Sequence, residues 1–260
     1  MEPNGKGNDF GWLEGCTLGA LLERAAGFDR GVRFVDRREH ATYFPYAELL
    51  RRAQRMAKAL HDAGVVPGDR VALVLPTSPA FYDAFFGAVL AGAVPVPVYP
   101  PVRLGRLDEY HRRTGEILRS VRARLVVSDR RVRRILGVTL ELAHAELGCM
   151  TADALLDAVS EGVASVERGT DDIAFIQMSS GTTRSPKPIC LTHRQVVSNV
   201  ARILEGIFGN YPEDEHLTHA GVSWLPLYHD MGLVGCVFTA LAKPGDLTLI
   251  PPEVFVARPA

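Results

Sequence analysis

Short apolar runs alternate with amphipathic stretches along most of the chain. The clearest amphipathic stretch covers residues 46–63, where apolar side chains share one face and Gly64 follows, a pattern that predicts a helix ending at that glycine. Other amphipathic or apolar stretches predict helices at 17–26, 77–90, 104–122, 129–136, 152–159, 194–208 and 232–241. Short apolar runs predict strands at 32–36, 40–44, 71–75, 94–98, 125–128, 173–178 and 246–250, the first two as a hairpin.

The segment 71–98 contains a predicted strand, a helix and a second strand in quick succession. A β-α-β unit of this length implies a parallel sheet that is covered on both faces, because the connecting helix packs back onto the sheet. The predicted fold class is therefore α/β, with parallel β-sheets flanked by helices. The stretch 141–166 is weakly patterned and predicts only the helix at 152–159.

Composition and charge narrow the classes of function. The chain has 260 residues, of which 47% are hydrophobic and 23% charged, as is usual for a globular protein, and a formal net charge of −1 argues against a general polyanion-binding surface. Arginines cluster in the segment 98–122, which raises a nucleic-acid or membrane patch as one interpretation. Asp108, Glu109 and Glu116 interrupt that cluster and no Phe or Trp is interleaved, so a solvated helix face is favoured and no nucleic-acid partner is predicted.

The cysteines and the apolar runs indicate in which cellular compartment the protein is expected. The four cysteines are far apart and form no CxxC pair, which favours reduced thiols over a disulfide framework or a zinc site. The N-terminus lacks the pattern of a signal peptide, and the longest uncharged run, 84–101, is interrupted by glycines and prolines and is too short for a membrane span. These features predict a cytoplasmic protein without an integral membrane segment.

A polar stretch at 178–188, MSSGTTRSPKP, follows the predicted strand 173–178 and precedes a helix predicted from position 192. A strand, a glycine-containing turn and a helix can present backbone N–H groups to a phosphate. Hydroxyls add donors and two cations add positive charge, and these side chains are Ser179, Ser180, Thr182, Thr183, Arg184 and Lys187. Composition alone favours a Ser/Thr-rich surface loop. A Walker loop is excluded because Pro186 and Pro188 stand where it requires a glycine and a Ser or Thr.

The run SSGTTRSPKP, with the Leu-Thr-His that follows at 191–193, resembles the phosphate-binding loop of adenylate-forming enzymes, the AMP-binding superfamily. A second block at 224–233, WLPLYHDMGL, resembles the motif that follows this loop in fatty-acyl-AMP ligases and related acyl-CoA ligases. The resemblance implies the N-terminal portion of the acyl-adenylate synthetase large domain. It predicts a flexible tail at 1–16, one α/β subdomain at 17–169 and a second, incomplete one at 170–260, with 17–48 able to pack against the second.

The same resemblance implies the chemistry. ATP, with Mg²⁺, reacts with a fatty acid to form acyl-AMP, usually for transfer to an acyl carrier protein in polyketide or lipopeptide assembly. The implied ligands of the ATP phosphates are Ser179, Ser180, Gly181, Thr182, Thr183 and Lys187. His229 and Lys187 are the implied catalytic residues, and the carboxylate pocket is implied to be lined by Tyr228, His229, Asp230, Met231 and Gly232. Judged without the resemblance, a His beside an Asp is more often a surface or structural residue.

Some features depart from the family pattern and leave alternatives open. Arg184 and Pro188 stand where many members have glycine, which puts the tightness of the loop in doubt. The resemblance also implies a longer enzyme, so this chain is expected to be inactive alone. An acyl-CoA ligase, another carboxylate-adenylating domain and a non-catalytic nucleotide- or partner-binding fragment stay open. Trp224, Cys190 and Cys236 are predicted to pack in the interior rather than to act chemically.

Overall fold

The computed structural model describes residues 10–101, 107–159, 165–179, 186–209 and 219–258. Within them the chain is an α/β protein, as predicted. The strands are β1 (Gly31–Val35), β2 (Ala41–Pro45), β3 (Arg70–Val74), β4 (Val94–Val98), β5 (Ala123–Ser128), β6 (Cys149–Thr151), β7 (Ile173–Met178), β8 (Pro188–Thr192), β9 (Ala220–Ser223) and β10 (Asp246–Leu249).

The helices connect and cover these strands. In chain order they are α1 (Leu18–Ala25), α2 (Tyr46–Asp62), α3 (Pro79–Leu90), α4 (Leu107–Ser120), α5 (Arg130–Arg133), α6 (Gly137–Ala143), α7 (Ala152–Ala158), α8 (His193–Phe208), α9 (Asp230–Gly232), α10 (Thr239–Ala242) and α11 (Pro252–Ala257). A π-helical segment, Leu233–Phe238, joins α9 to α10, so the apolar helix predicted at 232–241 is present with an altered hydrogen-bond pattern. Such π segments are rare and often lie at functional sites.

Two four-stranded sheets and one hairpin organise the described residues. The first sheet has the order β4-β3-β5-β6 and is parallel throughout, which confirms the β-α-β unit predicted at 71–98. The second has the order β2-β1-β10-β9; β1, β10 and β9 run parallel and β2 is antiparallel to β1. The predicted hairpin 32–44 therefore pairs with β10 from the far end of the chain. The division into two subdomains remains a prediction.

Proline positions agree with the place of β4 in its sheet. This strand, Val-Pro-Val-Pro-Val, is buried along its whole length and lies at the edge, with β3 as its neighbour. A central strand needs backbone N–H groups for hydrogen bonds to neighbouring strands on both of its sides. Proline lacks this N–H, so Pro95 and Pro97 are tolerated because β4 has a hydrogen-bonded neighbour on one side only. The neighbouring strands β3 and β5 are nearly all apolar and buried, as is typical of a parallel sheet covered on both faces.

Helix α3 lies in the centre of the core and positions the elements that carry the candidate site. It begins after Ser78, whose hydroxyl accepts the Phe81 N–H, and nearly all of its side chains are buried. The Phe85 ring contacts Phe175 of β7 at 5.8 Å and Phe238 of the π segment at 5.7 Å between centroids. Aromatic contacts of this kind add to the apolar burial. One buried helix therefore supports both β7 and the helix that follows β9.

Polar contacts join α2 and α1 to the rest of the core. The Arg52 guanidinium of α2 donates through Nε to the buried Asp83 carboxylate of α3 at 2.9 Å, so an ion pair joins these two helices. Burial raises the pKa of Asp83, although Arg52 opposes that shift. At α1, the Leu18 N–H donates to Nδ1 of the buried His193, the first residue of α8, at 3.1 Å.

Several predicted boundaries are wrong. The helix predicted at 129–136 is the single turn α5, and the weakly patterned 141–166 region contains the end of α6 and the whole of β6, neither of which was predicted. The three residues of β6 are too few to show a period. Within the segment predicted as a tail, Phe10 and Leu13 are 7% and 1% exposed around a 3-10 turn at Gly11–Leu13, because their apolar side chains reach the main core.

Candidate functional site

The polar stretch singled out in the sequence connects two strands of a hairpin. Strand β7 pairs antiparallel with β8, and Met178 and Gln177 lie opposite Pro188 and Ile189. The sequence predicted a strand, a turn and then a helix at this place, which is wrong, because β8 was missed. The strand was hidden because it starts with Pro188 and is largely exposed. Helix α8 begins only after β8, so its N-terminus does not adjoin the polar turn.

Ser179 and Lys187 close the base of this turn. The Ser179 N–H donates to the Lys187 carbonyl at 2.9 Å, and the Lys187 N–H donates to the Ser179 Oγ at 2.9 Å. The structure therefore brings together these two predicted phosphate ligands. Lys187 is exposed, and no salt bridge to its ammonium is found among the described residues. The other predicted ligands, Ser180, Gly181, Thr182 and Thr183, lie outside the described residues, as does Arg184.

The second motif begins with an extended segment that is held by neighbouring side chains. Ser223 Oγ accepts the Leu225 N–H at 3.1 Å, and the Oγ1 of Thr77 accepts the Leu227 N–H at 3.3 Å. Gln177 in β7 donates through Nε2 to the Tyr228 carbonyl at 3.2 Å. The last bond joins β7, the strand that leads into the polar turn, directly to the second motif.

His229 caps α9 and forms a close pair with Asp230. The Nδ1 atom of His229 lies 2.5 Å from Oδ1 of Asp230, and both side chains are about half exposed or more. The Met231 N–H lies nearer to that same carboxylate oxygen, at 2.7 Å, than to His229 Nδ1, at 3.3 Å. We infer that Asp230 accepts from both groups, which orients the imidazole and leaves Nε2 directed to other partners. Asp230 thus orients His229, whereas the sequence predicted it only as a pocket wall.

Gly232 has a packing role that the sequence did not reveal. A Cβ at this position would lie 2.4 Å from the carbonyl oxygen of Pro226 and 3.0 Å from that of Leu225. The Pro226 carbonyl accepts the His229 N–H at 3.1 Å, and it therefore closes the turn that carries the imidazole. Glycine is needed here for close backbone approach.

Tyr228 lines a cleft of about 390 Å³. The cleft lies at the carboxyl ends of β3, β4 and β5, where ligands of parallel sheets commonly bind. Its walls combine apolar and charged side chains, namely those of Arg37, Pro76, Thr77, Pro100, Pro101, Asp129, Arg131, Val132, Ile135, Tyr228, Pro252 and Glu253. Burial, reinforced by the Glu253 carboxylate, raises the pKa of the Tyr228 hydroxyl, so this group stays a neutral donor. Met231, by contrast, is exposed.

Two packing predictions near the site are wrong. Trp224 is 46% exposed and stacks on Phe255 of α11, with centroids 4.3 Å apart, instead of entering the core. Cys190 is exposed on β8, because its neighbours Pro188 and Ile189 are exposed as well, so neither face of this part of the strand is covered. Cys236 is partly buried against the main core, in line with its predicted packing role.

Sequence analysis missed Gln177 and Thr77. Gln177 stands out as the one strongly polar side chain in the strand Ile-Ala-Phe-Ile-Gln-Met, a signal that could have been used. The helix predicted at 77–90 included Thr77, but Ser78 makes the capping bond, α3 begins at Pro79, and Thr77 is buried against the second motif.

The described residues contain neither a metal-binding cluster nor a helix that could span a membrane. The part of the chain that the structure describes holds no group of three or more His, Cys, Asp or Glu side chains able to bind a metal ion. Among the same residues, no helix combines the length and the apolar character that a bilayer crossing requires.

Comparison with known proteins gives a consistent family. A family model described as AMP-binding enzyme matches residues 22–260. Among curated proteins, a putative acyl-CoA synthetase of Caulobacter vibrioides is 32% identical over 94% of this chain and 41% of its own length. A long-chain-fatty-acid–AMP ligase, FadD32, of Mycolicibacterium smegmatis is 30% identical over 95% of this chain and 39% of its own. The chain thus spans about two-fifths of the length of these relatives.

Solved structures agree with that assignment. A structure from a study of fatty acyl-adenylate ligases of E. coli and L. pneumophila superposes with a TM-score of 0.83 and 32% identity, covering 94% of this chain and 43% of that one. An adenylation domain of a keto acid-selecting NRPS module superposes equally well, with a TM-score of 0.83, over 98% of this chain and 46% of that one. Its identity is only 22%, so this second likeness supports the fold alone.

Proposed function

Because this chain belongs to the AMP-binding enzyme family, we propose that the protein activates a fatty acid with ATP to give an acyl adenylate and pyrophosphate. The observation that supports the proposal is the bond from Gln177 to the Tyr228 carbonyl, which joins the hairpin whose turn bears Lys187 to the segment that bears His229. The names of the fatty-acyl-AMP ligase relatives support a fatty acid as the substrate.

The proposed reaction is a displacement at phosphorus. A carboxylate oxygen of the fatty acid attacks the α-phosphorus of ATP, a new P–O bond forms, and the bond to the bridging oxygen breaks as pyrophosphate leaves with its electron pair. Such a step requires positioning and charge stabilisation more than a protein nucleophile. Mg²⁺ enters as part of Mg·ATP, since magnesium is usually held by substrate phosphates and water.

The residues of this chain have separate tasks in the proposal. Ser179 and Lys187, which fix the base of the turn, bind the β- and γ-phosphates with the help of Ser180, Gly181, Thr182 and Thr183. Lys187 also stabilises the negative charge that moves to the departing pyrophosphate. His229, oriented by Asp230, presents Nε2 between the carboxylate and the α-phosphate, where its imidazolium form, with a proton on each ring nitrogen, donates. Tyr228, Met231 and Gly232 form the wall beside the carboxylate.

We further propose that the acyl group passes to the thiol of an acyl carrier protein. The relatives named as fatty-acid–AMP ligases agree with formation of acyl-AMP, and the resemblance of the second motif to that class implies the carrier protein. The relative named as a putative acyl-CoA synthetase favours coenzyme A instead. A non-catalytic fragment that binds nucleotide or a partner is the alternative of another class, and the loop departures at Arg184 and Pro188 motivate it.

The decisive experiment is detection of acyl-AMP by mass spectrometry after incubation with ATP, Mg²⁺ and a panel of fatty acids. It is run on this chain and on one extended to the length of the relatives. We expect product from the extended chain and little from the short one. A folded extended chain that makes no product would favour the non-catalytic alternative, and transfer to coenzyme A in preference to a carrier protein would overturn the proposed acceptor.

Replacement of Lys187 tests the phosphate site. We expect Lys187→Met to lower kcat/KM for ATP in the active chain by roughly tenfold to a hundredfold, because one charge-assisted hydrogen bond contributes about 1.5–3 kcal/mol. The matched control is Lys58→Met on α2, where Lys58 forms an ion pair with Asp62, and its effect on kcat/KM should be within twofold. If the Lys187 variant and the parent have the same kcat/KM for ATP, Lys187 does not belong to the phosphate site.

A further inference from the structure

Two side chains from separate elements hold the two peptide groups that flank the Leu227–Tyr228 peptide of the second motif. Thr77, between β3 and α3, accepts the Leu227 N–H at 3.3 Å in a buried position. Gln177, in β7, donates to the Tyr228 carbonyl at 3.2 Å. The two bonds cross sequence separations of 150 and 51 residues, so neither is a by-product of local helix or turn geometry.

The chemistry of the Gln177 amide fixes its orientation. A carbonyl oxygen can only accept, so the Nε2 end must face Tyr228. The Oε1 end is then buried and has no partner among the described residues. A buried acceptor without a partner is destabilising, and an apolar side chain in this strand would avoid the cost. The donor bond to Tyr228 is therefore the interaction at this position that requires an amide.

Fixing residues 227 and 228 also fixes the direction of the next side chain. His229 follows directly, and its N–H closes the turn onto the Pro226 carbonyl. If Leu227 and Tyr228 shift, the start of α9 shifts, and the imidazole is no longer aimed from the same point. A displacement of about an ångström is enough to cost much of the rate in a reaction that depends on positioning.

We propose that Gln177 and Thr77 are positioning residues, a two-point clamp that fixes residues 227 and 228 between the β3–α3 connection and the β7–β8 hairpin and so orients His229 towards the reacting phosphate. The catalytic part of this inference rests on the proposed function, whereas the clamp itself does not. Neither residue is a catalytic residue, since each acts through the backbone that carries His229.

Hydrogen exchange tests the clamp on this chain without any activity. We expect Thr77→Val, which removes the acceptor with little change of shape, and Gln177→Leu, which removes the donor, to speed amide exchange in residues 225–232 at least tenfold. Thr77→Ser keeps an Oγ acceptor and should retain parental exchange. If the Thr77→Val and Gln177→Leu proteins both exchange these amide hydrogens at the same rate as the parent, the proposal is overturned.

A pH profile of the active, extended chain tests the positioning role. In Gln177→Glu the ionised carboxylate cannot donate to the Tyr228 carbonyl, so kcat for acyl-AMP formation from dodecanoic acid should fall about tenfold, with KM for ATP changed less than twofold. Protonation restores an O–H donor, so the ratio of variant to parent kcat should recover as pH falls through the pKa of the new carboxyl. The matched control is Gln195→Glu, where the side chain accepts the exposed Thr192 N–H and keeps an acceptor after the change.

The outcomes separate the two proposals. If the parent chain makes no acyl-AMP, the proposed function fails and the exchange experiment still judges the clamp. If the parent is active and the clamp variants exchange faster but keep parental kcat and pH profile, the positioning role is overturned. Should Gln177→Glu fail to fold, the Thr77→Val and Thr77→Ser pair carries the same comparison of kcat.

Discussion

Gly232→Ala is expected to destabilise the protein by about 2–3 kcal/mol, because overpacking against fixed backbone costs this much in well-packed sites. The added methyl would lie 2.4 Å from the Pro226 carbonyl oxygen, which belongs to the backbone and cannot rotate away. The same oxygen accepts the His229 N–H. The methyl group therefore displaces the turn that carries His229, and the active chain should lose nearly all acyl-AMP formation along with its stability.

Gly235→Ala is the matched control for this prediction. Gly235 lies three residues further along the same helical segment, and its Cβ would meet only the Met231 side chain, at 3.8 Å, an ordinary contact. Since alanine favours helix over glycine, this variant should be neutral or slightly more stable. Urea unfolding of both variants gives the free-energy difference. A Gly232 variant as stable as the parent would show that the turn can open at little cost.

Helices and strands with a regular pattern of apolar residues were predictable from the sequence, and those without such a pattern were not. Helix α2 shows a continuous apolar face over four turns and was predicted almost to its last residue. Strands β3 and β4 were recognised from apolar runs, since parallel strands are buried on both faces. Strand β6, with three residues, and strand β8, which starts with a proline and is largely exposed, carry too little pattern to be recognised.

The pattern of apolar residues along the chain could not predict which distant strands pair. The contact between β1 and β10 joins residues more than two hundred positions apart, for example Val32 with Leu247. A local pattern states which face of a strand is buried but not against which partner. Only the family resemblance suggested that the early hairpin packs with the later part of the chain.

The candidate site shows the same division. His229 and Lys187 were found because they belong to recognisable blocks, whereas Gln177, Thr77 and the backbone role of Gly232 depend on contacts that only the folded chain makes. The orienting role of Asp230 is intermediate. Its place beside His229 was visible, but the 2.5 Å contact between the two side chains required the turn geometry.

We expect the buried imidazole of His193 to make the folded protein less stable in acid. The buried imidazole accepts the Leu18 N–H through Nδ1, which must be unprotonated to do so. Burial, with the positive charge of Arg168 and against the opposing effect of Asp172, lowers the pKa of His193 to about 4. In the unfolded chain the imidazole has its ordinary pKa near 6.5. Between these values the unfolded state binds the proton and the folded state does not.

The free energy of unfolding should therefore be unaffected by His193 above pH about 6.5, decline as pH falls towards 4, and level off below it, with a total loss of roughly 3–4 kcal/mol. His193→Asn, whose Oδ1 can accept the Leu18 N–H without titrating, should remove that part of the decline. His144→Asn is the control, because His144 is exposed and its φ of 54° suits asparagine. Urea unfolding between pH 4 and 7 makes the comparison, and parallel profiles for parent and His193→Asn would show that this imidazole does not couple folding to protons.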